Sequence, residues 1–267
     1  MREKIREIVL VDFFESLPFL MASNPDNQLN IAVEGNIGCG KSTFLSHLQS
    51  FGGVYVVPEP LDQWTNLAGR HNLLESSFKD SKRYSFQFQS FVQLTRLKVW
   101  NHEANDSKVK IVERSIHSNR YVYLEVARQS GNLNTEEYEV LCRQYETMSK
   151  AFDLRLDLII YLRTDPLTSY KRMLSRGRLV TSKVGIWIKS FFLYYFRMEE
   201  SDAKLKYLQN LHEAYENWLI SSKSTQNTYP MYPIKVIDAN QSQEQMWEEL
   251  SFKNDPISSL KQLSGKA

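Results

Sequence analysis

The sequence predicts an α/β fold with a buried parallel sheet, because short apolar runs alternate with helical segments along the chain. The runs are rich in β-branched residues, and a glycine-rich stretch directly follows the first of them. This alternation is typical of β-α-β units, whose strands are covered by helices on both faces of one sheet. The five expected strands are Leu29–Glu34, Val54–Pro58, Val109–Glu113, Leu156–Leu162 and Ile234–Asp238.

The expected helices lie between these strands. One begins near Lys41, and a long amphipathic helix covers Ser81–His102, where aromatic and leucine side chains recur near helical spacing. The acids that follow Asn134 indicate a helix N-terminus. Asp165–Pro166 begins a further helix, and another covers Ser201–Ser221.

Composition limits the classes of partner. The chain has 267 residues, which suits one large domain or at most two small ones, and 42% of them are hydrophobic, which is enough for a full core. Its net charge is +2, so a nucleic acid polymer is not an expected partner. No apolar run is long enough to cross a membrane, and no membrane partner is expected. Cys39 and Cys142 are isolated, which indicates a reducing compartment.

Residues 1–28 are interpreted as an N-terminal extension, and residues 29–267 as one domain. The extension is either poorly ordered or mis-annotated, and Met21 could be the true start. It contains Glu3, Glu7 and Asp12, whereas mitochondrial presequences avoid acids. We therefore expect a cytoplasmic protein, with the mitochondrion as the alternative.

A phosphate-binding motif lies between the first strand and the next helix. It fits G-x-x-x-x-G-K-[S/T], in which glycines let backbone N–H groups wrap a polyphosphate at a helix N-terminus. Lys41 is expected at the β- and γ-phosphates of ATP, and Ser42 at Mg²⁺. A glycine-rich turn without a ligand is the alternative, and the flanking strand and helix argue against it. The ATP-binding stretch is Gly35, Asn36, Ile37, Gly38, Cys39, Gly40, Lys41, Ser42 and Thr43.

Polar residues near the second strand are candidates for an acceptor site. Glu59 follows that strand, at the edge of the sheet where ligands bind, and could take a proton from a substrate hydroxyl. A solvated loop acid is the alternative. Gln89, Gln93 and Arg96 share one helix face, and the amide of Gln89 can pair with a base edge. Both a ligand wall and a solvated face remain open for these three.

Charged residues after the third and fourth strands are candidates for phosphoryl transfer. Arg114 is a candidate clamp for the transferring group, and Glu113 a candidate partner of Mg²⁺. An ordinary ion pair at a strand end is the alternative. Arg172, Arg176 and Arg178 lie on and just after a later helix, and such a cluster suits a lid over phosphates.

These motifs, in this order, resemble the animal deoxynucleoside kinases over about Leu29–Asn240. The resemblance depends on the combination of GNIGCGKST from Gly35, PEPLDQW from Pro58, ERSIHSNRY from Glu113, and RGR followed by EE. It implies ATP- and Mg²⁺-dependent phosphorylation of the 5′-hydroxyl of a deoxyribonucleoside. It also implies a P-loop NTPase-like fold, with helices on both faces of a five-stranded sheet, and usually a homodimer.

The resemblance implies a role for each site residue. Glu59 would be the general base, and Arg114 would steady the 5′-oxygen and the transferring phosphoryl group, beside Lys41. Gln89 would read the base, and Glu200 would hold the 3′-hydroxyl. The base would pack against Trp64, Phe88 and Tyr123; the lid would contain Arg172, Arg176 and Arg178; the adenine of ATP would lie at Asp238 and Asn240.

Two positions in the nucleoside site depart from the family pattern. Phe78 stands where the family has a tyrosine that shares the 3′-hydroxyl. Arg96 is the choice of one branch, in which it pairs with an aspartate, and the partner position here is Asn119. An arginine with a neutral partner leaves the base preference open.

A third departure splits the lid. The aromatic-rich stretch Leu179–Arg197 separates Arg178 from Glu199, and joining Arg178 to Met198 restores the family spacing. The aromatic codons can be nearly all pyrimidine, as before a splice acceptor. We interpret the stretch as a retained intron, the alternative being a lid insertion that docks on a partner or a membrane surface.

Two other functions are considered. A nucleoside monophosphate kinase would share the phosphate loop, but PEPLDQW, ERS and the face that contains Gln89 argue against it. A non-catalytic accessory subunit would share the fold. The presence of Lys41, Ser42, Glu59 and Arg114 argues for catalysis.

Overall fold

The computed structural model describes residues 28–101, 107–179, 201–221, 232–249 and 256–265. Within them, five parallel strands form one sheet in the order β2-β3-β1-β4-β5. The strands are β1 (Leu29–Gly35), β2 (Val54–Val57), β3 (Val109–Glu113), β4 (Leu158–Arg163) and β5 (Ile234–Asp238). All five predicted strands are confirmed, with small differences at their ends.

The helices connect the strands. In chain order they are α1 (Lys41–Gln49), α2 (Leu61–Thr65), α3 (Leu73–Lys79), α4 (Ser81–Trp100), α5 (Ile116–Ser118), a π-helical turn (Asn119–Tyr123), α6 (Leu124–Gln129), α7 (Thr135–Ala151), α8 (Pro166–Leu179), α9 (Ser201–Leu219), α10 (Gln243–Glu249) and α11 (Pro256–Ser264). The predicted start at Asn134 is confirmed as a capping box, in which Asn134 and Glu137 each accept a hydrogen bond from the other's backbone N–H. In the described ranges, no helix combines the length and the apolar character needed to span a bilayer.

Alternate residues of the central strands point to opposite faces of the sheet. Ala32 and Ile159 pack against one cluster, which includes side chains of α4, α6, α7 and α9. Ile31 and Ile160 pack against the other, which includes side chains of α1, α10 and α11. Every residue of β1 is buried. The sheet is therefore covered on both faces, as predicted.

The strand order places the carboxyl end of β1 at the centre of the molecule. β3 pairs with one side of β1 and β4 with the other, so the chain reverses its direction of winding there. Open α/β sheets bind ligands in the crevice at such a switch point. The segments after β1, β2 and β3 all open at this edge, which brings residues that are distant in sequence to one site.

Candidate active site

The phosphate loop connects β1 to α1. Gly38 and Gly40 have φ angles of +80° and +107°, a region that favours glycine. Lys41 begins α1, and its Nζ lies 3.1 Å from the carbonyl oxygen of Gly35 and 2.9 Å from that of Asn36. Burial, followed by the nearby charge of Arg114, lowers the pKa of the Lys41 ammonium. The loop thus holds its lysine over its own backbone.

Glu59 follows β2 and lies between two arginines. Arg96 Nη2 donates to Glu59 Oε1 at 2.6 Å, and Arg114 Nη1 donates to Glu59 Oε2 at 2.5 Å. Burial alone would raise the pKa of this carboxyl, but the charges of Arg114, Arg96 and Lys41 outweigh burial, and the pKa is lowered. A carboxylate of this kind is ionised at neutral pH and can accept a proton.

Arg114 links this carboxylate to the phosphate loop. Its Nη2 donates to the carbonyl oxygen of Gly35 at 3.2 Å, while Nη1 holds Glu59. Its backbone φ is +59°, and its N–H donates to Val33. The guanidinium is therefore directed back across the end of β1, between Glu59 and the phosphate loop.

Glu34 is a buried carboxyl near the end of β1, and it was not predicted from the sequence. Its Oε1 accepts from the backbone N–H and the hydroxyl of Ser115, at 2.8 and 2.7 Å, and its Oε2 accepts from the Tyr215 hydroxyl at 3.2 Å. Burial raises its pKa despite these bonds. The signal for it was a carboxylate inside an apolar run, directly before Gly35.

A cavity of about 250 Å³ extends from Glu59 and Arg114 between α3, α4 and α9. Trp64 and Phe88 meet edge to face, with ring centroids 5.7 Å apart, and Trp64 Nε1 donates to Thr95 at 2.8 Å. Lys204 and Tyr207 line the cavity from α9 and were not predicted as site residues. Their spacing of three residues, on a helix that follows Glu199 and Glu200, is the sequence feature that could have indicated them. Predicted nucleoside-site residues that line the cavity are Glu59, Trp64, Phe78, Phe88, Gln89, Arg96, Arg114 and Tyr123.

The polar face of α4 divides between the cavity and the core. Gln89 lines the cavity, and its Oε1 accepts from Asn119 Nδ2 at 2.7 Å. Gln93 is fully buried and donates to the carbonyl oxygen of Leu141 at 3.1 Å, which joins α4 to α7. The ligand-wall interpretation therefore fits Gln89, whereas Gln93 stabilises the packing of two helices.

The expected pairing of Arg96 with Asn119 is wrong. Arg96 Nη1 donates to the carbonyl oxygen of Ser115 and the hydroxyl of Ser118, at 3.2 and 3.3 Å, and Nη2 donates to Glu59. The amide of Asn119 is directed at Gln89 instead. The guanidinium reaches an ionised partner at the edge of the sheet, which outweighs a neutral amide as an acceptor.

The β5–α10 turn meets the phosphate loop through Arg172. Its Nη1 donates to the carbonyl oxygens of Ala239 and Cys39, at 2.6 and 3.4 Å. Asn240 accepts from the backbone N–H of Asp165 at 2.9 Å and bonds to Asp238. The turn expected at the adenine is therefore fixed beside the loop.

The other predicted residues have simpler positions. Ser42 is exposed in the first turn of α1, and Glu113 is half-buried at the end of β3. Arg176 and Arg178 belong to the last turns of α8, but their side chains lie outside the described residues, as does Glu200. Most of the suspected insertion, Leu179–Arg197, also lies outside them.

Comparisons with known proteins show the family to which this chain belongs. Residues 31–187 match the family model described as deoxynucleoside kinase. The chain is 35% identical to mitochondrial thymidine kinase 2 of Homo sapiens over 228 residues, which cover 85% of this chain and 77% of that protein. It is 30% identical to deoxycytidine kinase 2 of Gallus gallus over 253 residues, covering 85% and 84% of the two chains. It is 28% identical to deoxycytidine kinase of Homo sapiens over 261 residues, covering 88% and 93%. The chain belongs to the deoxynucleoside kinase family, and it is a deoxynucleoside kinase.

Proposed function

We propose that this kinase transfers the γ-phosphoryl group of ATP to the 5′-hydroxyl of a deoxyribonucleoside, with Glu59 as the general base. The observation that carries the proposal is the position of Glu59. Its carboxylate lies in the cavity, at the same sheet edge as the phosphate loop, and is held by Arg96 and Arg114 at 2.6 and 2.5 Å. A lowered pKa keeps it ionised at neutral pH.

The transfer is a single displacement. The 5′-hydroxyl gives its proton to Glu59, and its oxygen bonds to the γ-phosphorus while the bond from phosphorus to the bridging oxygen breaks and ADP leaves. Arg114 and Lys41 stabilise the negative charge that develops on the phosphoryl oxygens. This role is supported by the bonds of both side chains to the Gly35 carbonyl oxygen, which place them beside one another.

The cavity suits a nucleoside, since aromatic side chains surround a few polar groups. Gln89 presents an amide to the edge of the base, and Asn119 holds that amide at 2.7 Å. Trp64, Phe88 and Tyr123 supply the apolar walls. The resemblance assigns the 3′-hydroxyl to Glu200, and Phe78 stands at the position where the family has a tyrosine that shares it.

The donor site lies on the opposite side of the phosphate loop. Arg172 ties the loop to the turn that contains Asp238 and Asn240, where the adenine would bind. Arg176 and Arg178 would supply the charge of a lid over the phosphates.

Mg²⁺ would be held by Ser42 and Glu113 together with phosphate oxygens. In the residues that the structure describes, no group of three or more His, Cys, Asp or Glu side chains could hold a metal alone. Such a donor set fits a cation that binds through one or two protein oxygens and its substrate's phosphates. The ion would neutralise charge on the β- and γ-phosphates.

A homodimer is the assembly that the resemblance implies, and sedimentation of the purified chain would test it. The compartment is proposed to be the cytoplasm. The name of the mitochondrial relative makes the mitochondrion the alternative, which fractionation of cells with an antibody to this chain would decide.

The proposal is tested by replacing the base and the loop lysine. Glu59→Gln should keep the fold and lower kcat by roughly 10²–10⁴, the range for a lost general base. Lys41→Ala should abolish turnover. The exposed Glu139→Gln is the matched control. The assay follows transfer of label from ATP to four deoxynucleosides and to their monophosphates, since a monophosphate kinase would use the latter.

The outcomes separate the alternatives. If Glu59→Gln changes only KM, Glu59 binds substrate and another group takes the proton. Unchanged turnover in Lys41→Ala would remove the phosphate loop from the mechanism altogether.

A further inference from the structure

Arg96 is buried between the nucleoside cavity and the catalytic carboxylate. It is 5% exposed, and both of its terminal nitrogens are occupied. Nη1 donates to Ser115 and Ser118, and Nη2 donates to Glu59 at 2.6 Å. Of the three guanidinium nitrogens, only Nε has no hydrogen-bond partner within the part of the chain that the structure describes. Three of its five N–H donors are thus directed at the protein, and one of these three holds Glu59.

The two oxygens of Glu59 have separate partners. Arg96 approaches Oε1 from α4, and Arg114 approaches Oε2 from the end of β3. Lys41 of the phosphate loop and Tyr123 of the π-helical turn also face this carboxylate electrostatically. Each carboxylate oxygen has two lone pairs, so a hydroxyl can still bind while both arginines stay in place.

The arginines also balance a second buried carboxyl. Arg96 and Arg114 both act on Glu34 as well as on Glu59. The positive charges of two guanidinium groups therefore favour the ionised forms of two buried carboxyls. Without Arg96, the single guanidinium of Arg114 would have to compensate both, and Glu59 would lose the contact that fixes its Oε1 oxygen.

We infer that Arg96 is a positioning residue for phosphoryl transfer, which holds the Oε1 side of Glu59 and supplies the second positive charge that favours its basic form. The inference rests on the proposed role of Glu59 as the general base. Arg96 acts through Glu59 and so contributes to turnover of every deoxynucleoside, whichever base it has.

The test is the pH profile of kcat/KM in Arg96→Met, which keeps the length of the side chain and removes its charge. The acidic limb of this profile reports the base in the free enzyme. Loss of one adjacent opposite charge should move the limb upward by about 1–3 pH units. The shift should be the same for thymidine and deoxycytidine. Arg96→Lys, which retains the charge, should return the limb most of the way.

The matched control is Arg83→Met, which makes the same replacement at an exposed position on α4. It should leave the profile unchanged. If thermal unfolding shows that Arg96→Met does not fold, Arg96→Gln replaces it, since it also removes the charge but retains a polar group. The expected limb shift is the same.

Other results would overturn the inference. An unmoved limb, with a KM that changes for one base and not the other, would make Arg96 a base reader. If the acidic limb of Arg96→Lys is shifted as far as that of Arg96→Met, the positive charge at this position is not what favours the ionised form of Glu59. Glu59→Gln, assayed in parallel, separates a failure of the proposed function from a failure of the inference about Arg96. If it retains full kcat, the proposed function fails; if it is impaired while the Arg96 variants keep the original limb, only the inference fails.

Discussion

The stability of the protein should fall as the pH drops from 7 towards 4, because of one buried histidine. His117 Nδ1 lies 2.7 Å from the Tyr145 hydroxyl, and Nε2 lies 2.9 Å from the carbonyl oxygen of Leu154. The carbonyl can only accept, so Nε2 carries the proton and Nδ1 accepts from the tyrosine. Burial lowers the pKa of His117 to about 4. Protonation would make Nδ1 a donor, so it could no longer accept from the Tyr145 hydroxyl, and it would place a charge in a buried site.

The sign and size follow from linkage. The unfolded chain binds a proton with an ordinary histidine pKa of about 6.5, whereas the folded chain resists it until about pH 4. The stabilisation is complete above pH 6.5 and is lost as the pH falls through this window. At about 1.4 kcal/mol per pKa unit, the full loss is on the order of 3 kcal/mol, of which about 2 kcal/mol is lost by pH 5.

The assay is urea unfolding at pH 7.5 and pH 5, followed by tryptophan fluorescence. His117→Gln can donate to the same carbonyl and accept from the same hydroxyl, but it cannot titrate. Its free energy of unfolding should therefore depend on pH less than that of the unchanged protein, by about 2 kcal/mol over this interval. The exposed His71→Gln is the control. Identical pH dependence in the His117→Gln variant and the unchanged protein would refute the reasoning.

Three further predictions concern the active site. Gly38→Ala should raise the KM for ATP more than Gly40→Ala, because a Cβ at Gly38 would lie 2.5 Å from the backbone oxygen of Ser169, whereas one at Gly40 meets nothing within 4 Å. Equal losses in the two variants would contradict the steric argument. Phe78→Tyr should improve kcat/KM for substrates with a 3′-hydroxyl by up to about tenfold, the net effect of one hydrogen bond; an equal gain for 3′-deoxy analogues would indicate packing instead. Deletion of Leu179–Arg197 restores the family spacing and should raise both soluble yield and kcat/KM; equal kcat/KM in the two proteins, or messenger RNA that always contains the segment, would count against a retained intron.

The sheet and its motif could be predicted because their signals are local. A strand such as β4 is a run of apolar residues, and the loop after β1 requires glycine at fixed positions whatever surrounds it. The capping box at Asn134 depends on two residues three apart, and the structure confirms it. Periodicity also placed Gln89 and Arg96 on one face of α4, although it could not say what that face would meet.

The partner of Arg96 could not be predicted because it depends on tertiary distances. Glu59 lies 37 residues before Arg96 in the chain, and the two side chains meet only once the chain has folded. The π-helical turn at Asn119–Tyr123 also lacks a local signal, yet it positions Asn119 against Gln89. The family resemblance indicated Asn119 as the partner position of Arg96. A resemblance gives equivalent positions in the sequence but not the conformations of their side chains.

Arg114 is a position at which glycine would relieve backbone strain but would also break a buried ion pair. Its backbone has a φ of +59°, a region that costs a non-glycine residue roughly 1–2 kcal/mol and costs glycine little. Arg114→Gly would leave the buried Glu59 carboxylate without one of its two arginine partners, and such a loss costs roughly 3–5 kcal/mol. The loss is larger than the relief, so a search for heat-resistant variants by folding alone should retain the strained arginine, although activity is not what it selects.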